Sequence, residues 1–287
     1  MLRITMTDQA LSKHRHISFT AHYTGYIWYQ MGISHPLLAT SKGKSLAFIA
    51  NPVETWAEKY VGGSMRTTLK ERHIMLDDTL KQLIERYPNL QVLEIAAGLS
   101  PRGWWFREHF PQIDYRELDL PDMAKTKQTA LKQINTASPD VLSVDLFTED
   151  FKNAFAVFDP KRPLVIISEG LINYFEKELL QQLLKSIVHY GQDFSVLHYL
   201  TDIYPEPVKN KLATVIWNSS KLLKVVSRSA FSFHFQTPKE VRDFFQTAGF
   251  KQVEVIQPSV YFPEKQNKNA HPEEHLGDLV WMIHAEK

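Results

Sequence analysis

The chain has 287 residues, 44% of them hydrophobic, enough for one large α/β domain or one domain with an added lobe. A formal net charge of +1 argues against a dedicated nucleic-acid binder, and the lack of cysteine excludes disulfides, thiolate nucleophiles and cysteine zinc sites together. Residues Met1 to Thr5 lack the apolar core of a secretory signal, and no apolar run reaches the roughly 18–20 residues that cross a bilayer, so a cytoplasmic protein without a membrane partner is expected.

The first stretch reads as helical and aromatic. Phe19, Tyr23, Tyr26 and Ile27 fall at helical spacing within a segment from Ala10 to about Gln30, which Gly32 and Pro36 end. A second helix is expected around Val53–Tyr60, and a third from about Thr68 to Arg86 with Leu69, Ile74, Leu80, Leu83 and Ile84 on one buried face. From Asn89 the texture changes to short apolar runs alternating with helical stretches. Strands are expected near Gln91–Ala96, Tyr115–Leu118, Val141–Val144, Leu164–Ser168 and Phe194–Leu200, with helices at about Gly103–Phe110, Met123–Ile134 and Lys177–His189. Such alternation implies βαβ units and a mostly parallel sheet.

The last third departs from this rhythm. Pro207–Arg228 reads as a helix. Thr237-Pro238-Lys239-Glu240 looks like a helix start with Thr237 as N-cap and Glu240 closing a capping box, and Gly249 should stop that helix. Two closing strands follow, near Gln252–Gln257 and Leu279–Ala285, joined by a polar loop over Pro263–Gly277. The expected organisation is an N-terminal helical extension over residues 1–88 and an α/β core over 89–287, with a helical insertion at about 205–236.

The strongest chemical signal is Val92-Leu93-Glu94-Ile95-Ala96-Ala97-Gly98-Leu99-Ser100, an apolar strand running into small residues and then a helix. Small side chains let a ligand approach the backbone, and a helix N-terminus offers unpaired N–H groups. The next strand ends in Asp119, where dinucleotide-type folds hold ribose hydroxyls. With only one glycine of a Gly-x-Gly-x-x-Gly pattern present, an ordinary strand–helix turn without a nucleotide stays open on these two features, and a nicotinamide enzyme is disfavoured. Asp145 with Leu146, and then Glu169, end the following strands. Ligands of open α/β sheets bind at that carboxyl edge.

Two other patterns carry little. His271-Pro272-Glu273-Glu274-His275 fits a zinc-protease spelling, but Pro272 breaks the helix such a site needs. Gly43-Lys44-Ser45 has Leu38 where a phosphate loop needs its first glycine. No metal site is expected.

Several segments together resemble the leucine carboxyl methyltransferase family and its bacterial polyketide-type O-methyltransferase branch. They are Arg72-His73-Ile74-Met75-Leu76-Asp77-Asp78, Leu93 to Leu99, Glu117-Leu118-Asp119-Leu120-Pro121, Asp145-Leu146 and Ser168-Glu169-Gly170-Leu171-Ile172-Asn173-Tyr174, in family order over roughly residues 65–195. The resemblance implies a Rossmann-like α/β fold with a seven-stranded methyltransferase sheet and its last strand antiparallel. It also implies S-adenosylmethionine as cofactor, S-adenosylhomocysteine as product and a small organic acid or phenol as methyl acceptor. A protein C-terminus as acceptor, or a non-catalytic cofactor-binding module, are the alternatives.

Carried over by position, Arg72 would pair with the cofactor carboxylate, and the backbone at Ala96 and Gly98 would pass beside its methionine portion. Asp119 would hold the ribose, Asp145 and Leu146 would frame the adenine, and Glu169 would face the amino-acid end. Tyr23, Tyr26 and Tyr174 are the acceptor-site candidates. Two positions depart from the family, which usually has glycine at Ala96 and often aspartate at Ser100. The methyl of Ala96 is harmless if the backbone there is extended, since the penalty falls on positive φ.

Overall fold

The computed structural model describes residues 17–50, 65–206, 232–265 and 278–287. The apolar run Leu164–Ser168 forms strand β4 and is buried throughout, as is β1 (Gln91–Ile95). Strands covered on both faces read this way. Around them lie β2 (Asp114–Asp119), β3 (Leu142–Ser143), β5 (Leu197–Ile203), β6 (Gln252–Ile256) and β7 (Trp281–Glu286). The seven strands run in the order β3-β2-β1-β4-β5-β7-β6. The strands from β3 to β5 pair in parallel, and β7 inserts antiparallel between β5 and β6, as expected.

Helices α1 (Ile17–Gln30), α2 (residues 41–50) and α3 (Met65–Arg86) precede the sheet. Helices α4 (Arg102–His109), α5 (Pro121–Ile134) and α6 (Lys177–Tyr190) lie between its strands, and α7 (Pro238–Ala248) and α8 (Pro258–Lys265) flank β6. The period of two along each strand divides the core. Leu93, Ile95, Ile166 and Tyr199 face Leu180, Leu184 and Ile187 of α6 and Phe245 of α7. Val92, Val165, Ile167 and Leu200 face Met75, Leu80 and Leu83 of α3 and Phe106 of α4. Thus α3 is one of the layers packed on the sheet.

At α7, Thr237 caps as expected, its hydroxyl accepting from Glu240 N, and Gly249 ends the helix in the left-handed region. The Glu240 carboxylate reaches back to the N–H of Gln236, one residue earlier than a standard capping box. Three boundaries need correction. Strand β3 is shorter than Val141–Val144. Helix α8 occupies Pro258–Lys265, where the polar loop was expected to begin at Pro263. Strand β5 starts three residues late because Phe194 and Ser195 bond to Gly191 and Pro160 carbonyls in a turn, and it runs on through Asp202. The expected helices at Val53–Tyr60 and Pro207–Arg228 and the His271–His275 segment lie outside the described residues. Among those described, no helix is long and apolar enough to cross a membrane.

Two histidines predict an acid-sensitive fold. His198 of β5 is buried, with its Nδ1 3.1 Å from Nε2 of His284 on β7. Burial pulls both down to about 4, and each also opposes a proton through nearby Arg86. The unfolded chain binds protons on these rings near pH 6.5 while the fold resists them. Stability is therefore full above about pH 6.5 and falls as the pH drops towards 4. Urea midpoints across that window should show this slope, and a His198→Asn/His284→Gln variant should flatten it; an unchanged slope would assign the acid sensitivity elsewhere.

Candidate functional site

After β1 the chain makes a tight turn, Ala96-Ala97-Gly98, before α4. Ala96 and Gly98 both have φ of +49°. The turn is anchored to β2: Ala97 N donates to Leu118 O at 3.0 Å, and Gly98 N donates to Asp119 Oδ2 at 2.7 Å. The other Asp119 oxygen accepts from Leu120 N at 2.7 Å. Helix α1 lies directly on this turn, so close that a Cβ on Gly98 would come within 3.1 Å of the Ala21 Cβ. Ser100, where the family often has aspartate, accepts from Arg102 N and helps to start α4.

The extended backbone that would make the Ala96 methyl harmless is not what the chain adopts. Ala96 is the one non-glycine residue with positive φ among the described residues. An L-residue there costs about 1–2 kcal/mol, against roughly 0.5–1 kcal/mol that glycine loses in chain entropy. Ala96→Gly is expected to stabilise the protein by up to about 1 kcal/mol in chemical denaturation, and a destabilised variant would contradict the assignment of strain.

Four of the seven expected cofactor positions line one open cleft at the carboxyl edge of the sheet: Ala96, Asp119, Asp145 and Leu146. Counted to its mouth, with open solvent included, the cleft spans about 360 Å³. Leu118, Leu120, Val144, Phe147, Leu171 and Phe175 complete its largely apolar wall, with Phe147 and Phe175 packed edge to face at 4.9 Å. Asp145 uses Oδ1 to accept from Phe147 N at 3.0 Å, which fixes the loop after β3. Burial pushes the Asp119 carboxyl up to about 6, against the pull of the Gly98 and Leu120 N–H groups and of Lys127.

Arg72 and Glu169 meet each other in a buried charge network. From α3, Arg72 Nε donates to Glu169 Oε1 at 2.9 Å, and Nη1 donates to Asp202 Oδ2 at 3.3 Å and to the Tyr204 hydroxyl at 3.1 Å. Glu169 Oε2 is held by Arg102 at 2.6 Å and by His73 at 2.9 Å. Burial alone would raise the Glu169 carboxyl, but His73, Arg102 and Arg72 outweigh it and hold it well below the usual carboxylate range.

A family model described as leucine carboxyl methyltransferase matches residues 35–188, more than half of the chain. The chain belongs to the leucine carboxyl methyltransferase family. A proposed S-adenosyl-L-methionine-dependent methyltransferase of Mycobacterium avium is 34% identical over 122 residues, covering 41% of this chain and 38% of that protein. A similarly named protein of Mycolicibacterium gilvum is 31% identical over 119 residues, 39% of each chain. The chain thus matches about two fifths of the length of these curated relatives. Among solved structures, a proposed methyltransferase from Thermobifida fusca is similar with a TM-score of 0.61 at 14% identity, covering 95% of this chain and 94% of that one. At that identity the likeness shows the shared fold.

Seen as a member of this family, the chain carries site residues that sequence reasoning did not single out. Arg102 is fully buried and reaches Asp77 at 2.6 Å, Glu94 at 2.9 Å and Glu169. Asp202 pairs with Arg72 and accepts from Gly170 N at 2.6 Å. Ending β5 at Leu200 hid Asp202; run on to Ile203, the strand brings a further acid to the same edge. The tyrosines separate. None of the three is among the cleft-lining residues; Tyr23 and Tyr26, on α1, pack against Ile27, Ala47 and Leu69. Tyr174, in the turn after β4, donates its hydroxyl to Thr20 Oγ1 of α1 at 3.1 Å. Burial raises its pKa, so it stays a neutral donor at neutral pH.

Proposed function

We propose that the protein is an S-adenosylmethionine-dependent O-methyltransferase acting on a small organic acid or phenol. The observation that supports this best is the cleft of Ala96, Asp119, Asp145 and Leu146, beside the Arg72–Glu169 pair, in a chain of this family. The residues present fit that cofactor chemically. Carboxylates at Asp119 and Asp145 are acceptors suited to ribose hydroxyls and an adenine amino group, and the apolar wall around Leu146 suits the ring. The forked guanidinium of Arg72 suits a carboxylate, and Glu169 with Asp202 holds it in place. The turn at Ala96 and Gly98 is covered by α1 at Gly98, so the methionine portion would reach it from the cleft side at Ala96.

When bound, S-adenosylmethionine supplies a methyl group already activated on a sulfonium, so transfer demands mainly alignment. The chain's own contribution is to grip both ends and exclude water with α1 over the turn. A carboxylate acceptor is ionised at neutral pH and needs no base, whereas a phenol, with a pKa of about 10, benefits from one. Family membership favours a carboxylate, which keeps a protein C-terminus as the second reading. Tyr174 is the acceptor-side residue retained from the sequence, and Tyr23 and Tyr26 are better explained by packing.

Calorimetry with S-adenosylhomocysteine tests the assignment. The protein should bind it, and should then transfer labelled methyl groups to small carboxylic acids or phenols rather than to peptides. No heat with the wild-type chain would sink the cofactor reading; transfer only to peptide termini would favour the second.

A further inference from the structure

One buried cation has no part in the cofactor reading above. On α5, Lys125 is exposed, but Lys127 is 0% exposed. Its Nζ lies 2.5 Å from Glu117 Oε1 on β2 and donates to the Ala97 carbonyl at 3.0 Å. Helix α4 makes room for this pair. A Cβ at Gly103 would stand 2.4–2.7 Å from the Glu117 carboxylate, whose second cation is Arg107 at 2.8 Å. Burying a lysine is costly, and an apolar residue would fill the space under α5 at less expense. What the ammonium does that an apolar side chain cannot is bond to the backbone of the turn.

We propose that Lys127 is a positioning residue of the cleft: through the Ala97 carbonyl it locks the turn that presents Gly98 N to Asp119. The turn has positive φ on both sides of Ala97, a shape that tertiary bonds must hold. Three of them do so, from Leu118, Asp119 and Lys127. The charged groups around Asp119 are Lys127 from α5, Glu94 from β1, Glu117 on its own strand and Asp145 across the cleft. Lys127 favours the ionised Asp119 and Glu94 opposes it. The inference rests on the cofactor reading for its purpose, but the clamp itself can be tested without cofactor.

The test uses the apo protein labelled with carbon-13 at aspartate carboxyls, with the Asp119 signal identified by its loss in Asp119→Asn. In Lys127→Met, Glu117 keeps Arg107 as its cation, and Asp119 should titrate about one pH unit higher than in wild type. Lys127→Arg should restore the titration. If Lys127→Met does not fold, Lys127→Gln carries the same comparison. At pH 5 the S-adenosylhomocysteine affinity should fall about tenfold alongside, the equivalent of one pKa unit. An Asp119 that titrates as in wild type after loss of the lysine charge overturns the proposal, whatever the binding. A moved titration in a protein that never binds S-adenosylhomocysteine supports the clamp and removes the cofactor reading instead.

Discussion

Arg102→Met is expected to cost the protein about 3–5 kcal/mol, a large share of the 5–15 kcal/mol that holds a typical fold. The guanidinium is fully buried and its nitrogens reach Asp77, Glu94 and Glu169. Without it, Glu94 retains, among the described residues, only the Tyr115 hydroxyl at 2.9 Å, and Asp77 retains His73 at 3.4 Å. Glu169 still has Arg72 and His73, so the loss concentrates on Glu94, whose charge is then buried with one neutral donor. Arg102→Lys should not rescue, because one ammonium cannot span three carboxylates in the planar geometry that the fork provides. Adding Glu94→Gln to Arg102→Met should recover part of the loss by removing the stranded charge. Urea unfolding followed by circular dichroism measures all three; an unchanged midpoint for Arg102→Met would show that the network contributes nothing net.

The second large effect is on binding. Asp119→Ala should weaken S-adenosylhomocysteine by about two orders of magnitude or more, since each hydrogen bond to a charged group contributes roughly 1.5–3 kcal/mol and a ribose offers two hydroxyls. The same change frees the N–H groups of Gly98 and Leu120, which loosens the turn as well. Because burial raises Asp119 to about 6, wild-type affinity should fall close to tenfold per unit of pH below 6 and level off above it. Asp119→Ala should show a flat profile through that range. Calorimetry from pH 5 to 8 separates these outcomes, and full affinity at pH 5 would exclude the ionised carboxylate from the site.

Much of the fold was legible because its signals are local. The run Leu164–Ser168 could only be a strand buried on both faces, and Thr237 to Glu240 spelled a helix start whose bonds form within four residues. The acids at Asp119, Asp145 and Glu169 were placed at one edge by strand direction alone, since parallel strands deliver their carboxyl ends to the same side. Alternation of strands and helices sufficed for that.

Other features depended on residues far apart in the chain. The conformation of Ala96 is set by Leu118, Asp119, Lys127 and the weight of α1, none of them within twenty positions, so its φ of +49° has no local signature. Lys127 reads as one more solvated lysine until α5 is laid on β2, and Asp202 falls beyond the expected end of its strand until Arg72 and Gly170 meet it. Sequence by itself determined the strand–turn–helix unit, the acidic edge and the family, because periodicity and short motifs record contacts along the chain. Only the tertiary structure decided which charges are buried, which carboxylates face the cleft and which are consumed by arginine, because pairing across elements leaves no trace in spacing.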